Sequence, residues 1–174
     1  NSAEYGLIPD FFSGVTPKLV VKEGDHVLAG DALFVNKACQ QIGFASPVSG
    51  IVTAVDRGER RKVLCVRIKA DDTLEYRDFG KADPASLDGE DVKTKLLEAG
   101  LFGYINQLPY AVSTTPVTNP KGIFVSALRD MPLAGDFEYE LQGNEQAFVA
   151  GLQALSRIAK VYLGVGSCQT AEVL

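Results

Sequence analysis

The strongest constraint on this chain is the way turns punctuate its first seventy residues. Glu23-Gly24-Asp25, Gly30-Asp31, Pro47-Val48-Ser49-Gly50 and Asp56-Arg57-Gly58-Glu59 each interrupt runs of only a few residues. The runs at 19–22, 32–35, 51–55 and 63–69 are apolar and rich in β-branched side chains. Glycine supplies turn angles that other residues resist, and runs this short between breakers read as strands, not helices. In 63–69 the side chains alternate, which predicts that Leu64, Val66 and Ile68 face inward. Two strand-turn-strand units follow one another, each with too little apolar surface to stand alone. The pattern predicts two halves packed with pseudo-twofold symmetry into a small β sandwich.

After residue 70 the pattern changes. Residues 71–90 are polar and broken by Asp83-Pro84 and Asp88-Gly89, which predicts a linker with a short strand at 74–76. Residues 91–99 read as a helix with Val92, Leu96 and Leu97 on one face and Gly100 as its stop. Residues 101–119 form an irregular loop whose apolar side chains, Phe102, Tyr104, Ile105 and Tyr110 among them, predict that it packs onto something. The apolar runs 123–127 and 161–165 read as strands buried on both faces of a parallel sheet. Between them Asn144 is placed to cap a helix over 145–159, with Phe148, Leu152, Leu155 and Ile158 on one face. Strand, helix and strand make an α/β crossover. Such a sheet needs more strands, so the natural chain is expected to continue.

Several function classes are disfavoured. The net charge is −5 with a pI near 4.9, whereas nucleic-acid binders present a basic patch. The one dense basic cluster, Arg57, Arg60, Arg61 and Lys62, is interrupted by Glu59 and reads as a solvated turn. Cys39, Cys65 and Cys168 form no CxxC pair, and His26 is the single histidine. That argues against a zinc site and leaves only His26 for Ser-His or Cys-His machinery. An odd cysteine count without a secretory signal points to a reducing compartment. No apolar run reaches the roughly 20 residues that cross a bilayer. His26 reads as exposed, and Asp10, Asp130 and Asp136 read as turn-ordering carboxylates more than as an acid–base pair.

Residues 17–52 resemble the biotinyl/lipoyl carriers. Val21-Lys22-Glu23-Gly24-Asp25-His26-Val27, Gly30-Asp31-Ala32-Leu33 and Ala45-Ser46-Pro47-Val48-Ser49-Gly50-Ile51-Val52 carry that likeness. It implies a barrel-sandwich hybrid, and Asn36-Lys37-Ala38 is similar to the Asp-Lys-Ala that bears the lipoyl arm. Lys37 stands ten residues before Pro47, further than in those carriers. Cys39 and Gln40-Gln41 are therefore expected to spoil the tight turn, and Lys37 reads as a surface lysine.

A longer ordered set spans nearly the whole chain. It runs from Pro9-Asp10-Phe11 through Pro17-Lys18-Leu19, Leu33-Phe34-Val35-Asn36-Lys37, Ser46-Pro47-Val48-Ser49-Gly50 and Arg57-Gly58-Glu59-Arg60-Arg61. It continues with Leu96-Leu97-Glu98-Ala99-Gly100-Leu101-Phe102, Gly122-Ile123-Phe124-Val125-Ser126-Ala127 and Met131-Pro132-Leu133-Ala134. This set resembles the NqrA family, one of the subunits of the sodium-translocating NADH:quinone reductase. The resemblance implies an N-terminal extended segment over 1–16, a barrel-sandwich hybrid over 17–70, a linker over 71–90 and a partial Rossmann-like α/β domain over 91–174. It further implies a peripheral position on the cytoplasmic side of a bacterial inner membrane, reached through partner subunits, above all the membrane partner that carries the quinone site. The complex uses NADH, FAD, FMN, riboflavin, an iron–sulfur centre and ubiquinone, and this chain is expected to bind none of the redox cofactors itself. Phe102, Tyr104 and Tyr110 are its candidate quinone contacts.

The α/β part is also similar, more distantly, to the flavin-binding subunit of complex I, where a Gly-rich stretch cradles the flavin phosphate. Here that stretch reads Leu97-Glu98-Ala99-Gly100-Leu101-Phe102-Gly103. Glu98 puts negative charge where a phosphate would sit, and Tyr104 and Ile105 add bulk. Asn106 and Leu108 stand where the closer family often has a basic pair. The leading expectation is a structural subunit; a flavin- or NADH-binding domain and a lipoyl or biotin carrier are the alternatives.

Overall fold

A computed structural model describes residues 3–128, 131–167, 169–170 and 173. It divides into two compact units, the first formed by Asn1–Gly80 with Thr94–Thr118, the second by Lys81–Lys93 with Asn119–Leu174.

The first unit is built on two antiparallel sheets. One contains β1 (Glu4–Leu7), β3 (His26–Val27), β6 (Gly50–Arg57) and β7 (Val63–Ala70) in the order β1-β7-β6-β3. The other contains β2 (Pro17–Leu19), β4 (Ala32–Asn36) and β5 (Cys39–Ala45) in the order β2-β4-β5. Leu33, Phe34, Ile42, Phe44, Val52, Val66 and Ile68 are sealed in the core of this unit. Phe34 and Phe44 face each other in register, with ring centroids 4.8 Å apart and planes at 22°. Phe12 sets its ring 4.3 Å from Phe44. Such aromatic pairs add roughly 0.5–1.5 kcal/mol each beyond the area they bury. At Gly50 the backbone runs so close to the Lys69 carbonyl that a Cβ would overlap it, so only glycine fits.

β7 departs from the simple alternation. Val66 and Ile68 point inward, but Leu64 is 41% exposed and Val63 is buried instead. The cause is a bulge: Asp56 pairs with Cys65 and Arg57 with Val63, leaving Leu64 without an opposite residue. An extra residue reverses the side-chain faces beyond it.

Residues 71–80 hold to this first unit. Asp71 N–H donates to the Ser49 carbonyl at 3.0 Å, Glu75 N–H to Ser49 Oγ at 2.9 Å, and Arg77 N–H to the Ala29 carbonyl at 2.9 Å. The short strand expected at 74–76 is a single parallel bridge between Ala29 and Tyr76. His26 lies on β3 with an exposed side chain, and its Nε2 is 2.9 Å from Asp71 Oδ2.

In the second unit β10 (Ile123–Ser126) pairs in parallel with β11 (Val161–Gly164), and α3 (Glu145–Ile158) lies between them in the chain. The strands are not buried on both faces as expected. Ile123, Val125, Val161 and Leu163 are half-buried, whereas Phe124 is 71% exposed and stacks on Tyr162 at 5.1 Å. Among the described residues only one face of the pair is packed. Phe148, Leu152, Leu155 and Ile158 form a half-buried face of α3. Asn144 occupies the cap position, but with ψ of 11° its side chain makes no capping bond. Glu145 Oε1 instead accepts from Gly143 N–H at 3.1 Å. Asp136 caps α2 (Phe137–Leu141), accepting from the N–H groups of Glu138 and Tyr139. Asp130 lies outside the described residues.

The bulge can be checked by substitution. Val63→Gln buries an unpaired amide and lowers unfolding stability by about 2–3 kcal/mol, while Leu64→Gln changes it by less than about 0.5 kcal/mol. Urea denaturation of the two variants reads the difference. The reverse ranking would overturn this β6–β7 register.

Candidate functional site

The segment that would grip a nucleotide begins at the end of α1 (Gly89–Glu98). Gly100, at φ +66°, closes the helix. Its N–H donates to the Leu97 carbonyl at 3.1 Å, and Leu101 N–H donates to the Leu96 carbonyl at 2.9 Å. This paired closure is the usual left-handed glycine exit from a helix. The stretch 97–103 therefore surrounds a helix C-terminus, where carbonyl oxygens concentrate and the dipole is negative. A phosphate cradle needs the opposite pole, with N–H groups converging. Glu98 adds a formal negative charge to the same pole.

The glycines of this stretch have another physical explanation. A Cβ on Gly100 would lie 2.9 Å from Ala45 Cβ and 3.0 Å from Ala45 N, and one on Gly103 would lie 2.6 Å from Phe44 Cζ. Both let the backbone press against β5. Phe102–Tyr104 then forms one 3-10 turn. A small hairpin comes next, β8 (Asn106–Gln107) with β9 (Val112–Ser113), tied back by Thr114 N–H to the Ile105 carbonyl at 2.8 Å and by Ser113 Oγ to the Gly103 carbonyl at 3.0 Å. The apolar loop thus has an ordered fold on the first unit.

The three aromatic candidates separate by environment. Phe102 is buried in the core, with no solvent-facing ring. Tyr104 is 53% exposed and stands edge-on to Phe12 at 5.0 Å; burial pushes its phenol above the ordinary value. Tyr110 is 74% exposed at the hairpin tip, beside Leu108, which is also exposed. Among the described residues no ring contact joins Tyr104 to Tyr110.

Lys37 and Ala38 are the two residues that join β4 to β5, with Asn36 paired to Cys39. Asn36 Oδ1 accepts from Ala38 N–H at 3.1 Å, and Lys37 N–H donates to the Thr16 carbonyl at 2.8 Å. The turn is tight, contrary to the expectation that Cys39 and Gln40-Gln41 would spoil it. The ladder shifts between Asn36↔Cys39 and Val35↔Gly43, so the longer interval is absorbed as an irregularity in β5. Lys37 stands exposed at the tip.

The remaining candidates have structural partners. Asp10 Oδ2 takes Lys62 Nζ at 2.7 Å. Cys39 and Cys65 are half-buried, and burial, followed by the nearby Asp56 carboxylate, pushes the Cys65 thiol up, which makes it a poor nucleophile. Cys168 lies outside the described residues. Among the described residues no three His, Cys, Asp or Glu side chains gather where a metal ion could be held. Sequence reasoning did not single out a shallow open cleft in the second unit, lined in part by Gly89, Lys93, Asn119 and Arg157. Its cations are engaged: Arg157 donates to the carbonyls of Pro84 and Ala85 at 3.2 and 3.0 Å, and Lys93 Nζ is 2.8 Å from Glu90 Oε1.

The architecture and the glycine-closed helix end define a class: a barrel-sandwich hybrid followed by an α/β domain. Residues 1–71 match the family model described as the NqrA N-terminal barrel-sandwich hybrid domain, and residues 87–173 match the NqrA second alpha/beta domain. The chain belongs to the NqrA family of Na(+)-translocating NADH-quinone reductase subunits. It is 33% identical over 172 residues to the NqrA protein of Cellvibrio japonicus, covering 98% of this chain and 38% of the relative. Identity is 36% over 165 residues to the protein from Tolumonas auensis, covering 92% and 37%. To the protein from Pseudomonas aeruginosa strain UCBPP-PA14 it is 33% over 159 residues, covering 90% and 36%. The chain spans a little over a third of the length of these curated relatives.

If Gly103 serves packing, Gly103→Ala forces the Phe44 ring aside and lowers stability by about 1–3 kcal/mol. Gly151→Ala, a helical position with nothing within 4 Å of a new Cβ, is neutral to stabilising by about 0.5–1 kcal/mol. Thermal melts of both variants make the comparison, and equal effects would remove the packing explanation.

Proposed function

We propose that this chain is a structural part of NqrA in a sodium-translocating NADH:quinone reductase, holding no redox cofactor of its own. In this reading it sits peripherally on the cytoplasmic side of the inner membrane and docks on other subunits, especially the membrane partner that carries the quinone site. NADH, the flavins and the iron–sulfur centre are handled elsewhere in the complex. The observation that carries the reading is the direction of α1: the glycine stretch lies at the helix's negative end and its glycines press on β5. A flavin phosphate placed there would meet carbonyls and Glu98. Quinone proximity rests on Tyr104 and Tyr110, the two candidate rings with exposed surface.

The chain is expected to purify colourless and to give no binding heat with FMN or NADH. One equivalent of bound flavin would overturn the proposal in favour of an oxidoreductase domain. In the complex, loss of the whole NqrA protein should abolish assembly or sodium-coupled turnover. A complex that turns over fully without it counts equally against the proposal. Tyr110→Ala in the complex should raise KM for the quinone and leave KM for NADH unchanged.

A carrier role is the second reading, favoured by the exposed position of Lys37 on a two-residue tip. Intact mass after co-expression with a lipoate or biotin ligase decides it. An unmodified mass removes the carrier reading, and an added lipoyl or biotinyl group establishes it.

A further inference from the structure

The β6–β7 connection is strained in a way that packing does not account for. Lys62 N–H donates to the Glu59 carbonyl at 3.1 Å, closing a turn whose central residues are Arg60 at φ +53° and Arg61 at φ +61°. Two consecutive left-handed residues make the mirror-image turn normally filled by Asn-Gly or Gly-Gly. A side chain bearing Cβ is disfavoured there. Residues Glu59–Arg61 bury nothing, so no core contact offsets the strain. Among the described residues no carboxylate pairs with Arg57, Arg60 or Arg61, and Arg57 Nη1 donates to the Arg61 carbonyl at 3.3 Å. In a chain of net charge −5, the strained turn concentrates positive charge at one point. Strain of this kind points to function.

The surroundings specify the chemistry. β1 runs antiparallel to β7 with Leu7 opposite Val66, so the next 3-10 turn, Pro9–Phe11, lies beside the same end of the barrel. The Lys62–Asp10 pair ties the two turns together at 2.7 Å. Phe11 is 78% exposed, and the bulge turns Leu64 outward against Gly58. An exposed aromatic and an exposed leucine beside unpaired arginines combine guanidinium forks suited to phosphate with side chains suited to the edge of the acyl layer. Two small turn tips do not offer the roughly 800 Å² per partner of a stable protein interface, but a fluid headgroup layer can close around them.

We propose that this end of the barrel seats directly in the headgroup layer of an anionic phospholipid membrane, with Arg57, Arg60 and Arg61 on phosphates and Phe11 and Leu64 at the acyl boundary. The contact adds to any made through partner subunits and does not depend on which complex the chain serves.

The test is sedimentation of the chain with phosphatidylglycerol–phosphatidylcholine vesicles and with pure phosphatidylcholine vesicles. Binding is expected to the first only and to weaken with salt. The double substitution Arg60→Asn, Arg61→Gly relieves the turn, so its melting temperature should rise by about 5 °C or more. Its vesicle binding should fall about 10- to 30-fold. Arg60→Lys with Arg61→Lys should keep most of the binding, and Phe11→Ala should remove the part that survives salt. The proposal fails if both vesicle types bind equally, if the Asn-Gly variant binds as well as the parent, or if that variant is no more stable. It also fails if the chain binds an acidic polypeptide but no vesicle.

Discussion

The stacked rings of Phe34 and Phe44, with Phe12 against them, are the contact on which the first unit depends. They fill the space between the two sheets and fix β4 against β5 in register. Phe44 also presents its edge to Gly103. The same ring that completes the barrel core shapes the chain after α1. The segment beyond the helix is held by the barrel, and the aromatic at 102 is drawn into its interior.

That arrangement separates two uses of glycine that look alike in sequence. Glycines at a helix N-terminus free N–H groups to converge on an anion. Gly100 and Gly103 follow a helix C-terminus and let backbone approach β5 closely. Composition does not distinguish the two; the direction of the adjoining helix does. Gly100 was legible as a helix stop, and that reading already implied which pole of α1 meets the stretch.

Much of the fold could be read from turn spacing because a Gly-Asp or Pro-x-x-Gly step marks where each strand must end. The errors arose where regularity was assumed. Strict alternation put Leu64 inside, but a bulge has no signature in a period-two pattern. Counting residues from Lys37 to Pro47 assumed a regular ladder, and β5 absorbs the excess while the turn stays tight. Apolar content at Phe124 and Tyr162 did not reveal which sheet face is covered. Asn144 marks the start of α3 without capping it, because its backbone angle carries the side chain away from the free N–H groups. Of the candidate site, the tyrosines were found by type, but their division from Phe102 depends on tertiary burial. The left-handed angles at Arg60 and Arg61 contradict local preference and could not be read from sequence.

Ser49 shows where this barrel ends as a physical object. Its buried hydroxyl accepts from Glu75 and its carbonyl from Asp71, while Ala29 is clasped on both sides by Glu75 and Arg77. A boundary drawn at the last residue of β7 would strip Ser49 and Ala29 of these partners and uncover their polar groups. The barrel therefore does not stop at its last strand: the polar stretch as far as Arg77 is a clasp that locks it shut, and severing it would loosen the structure from a site that carries no apolar core of its own.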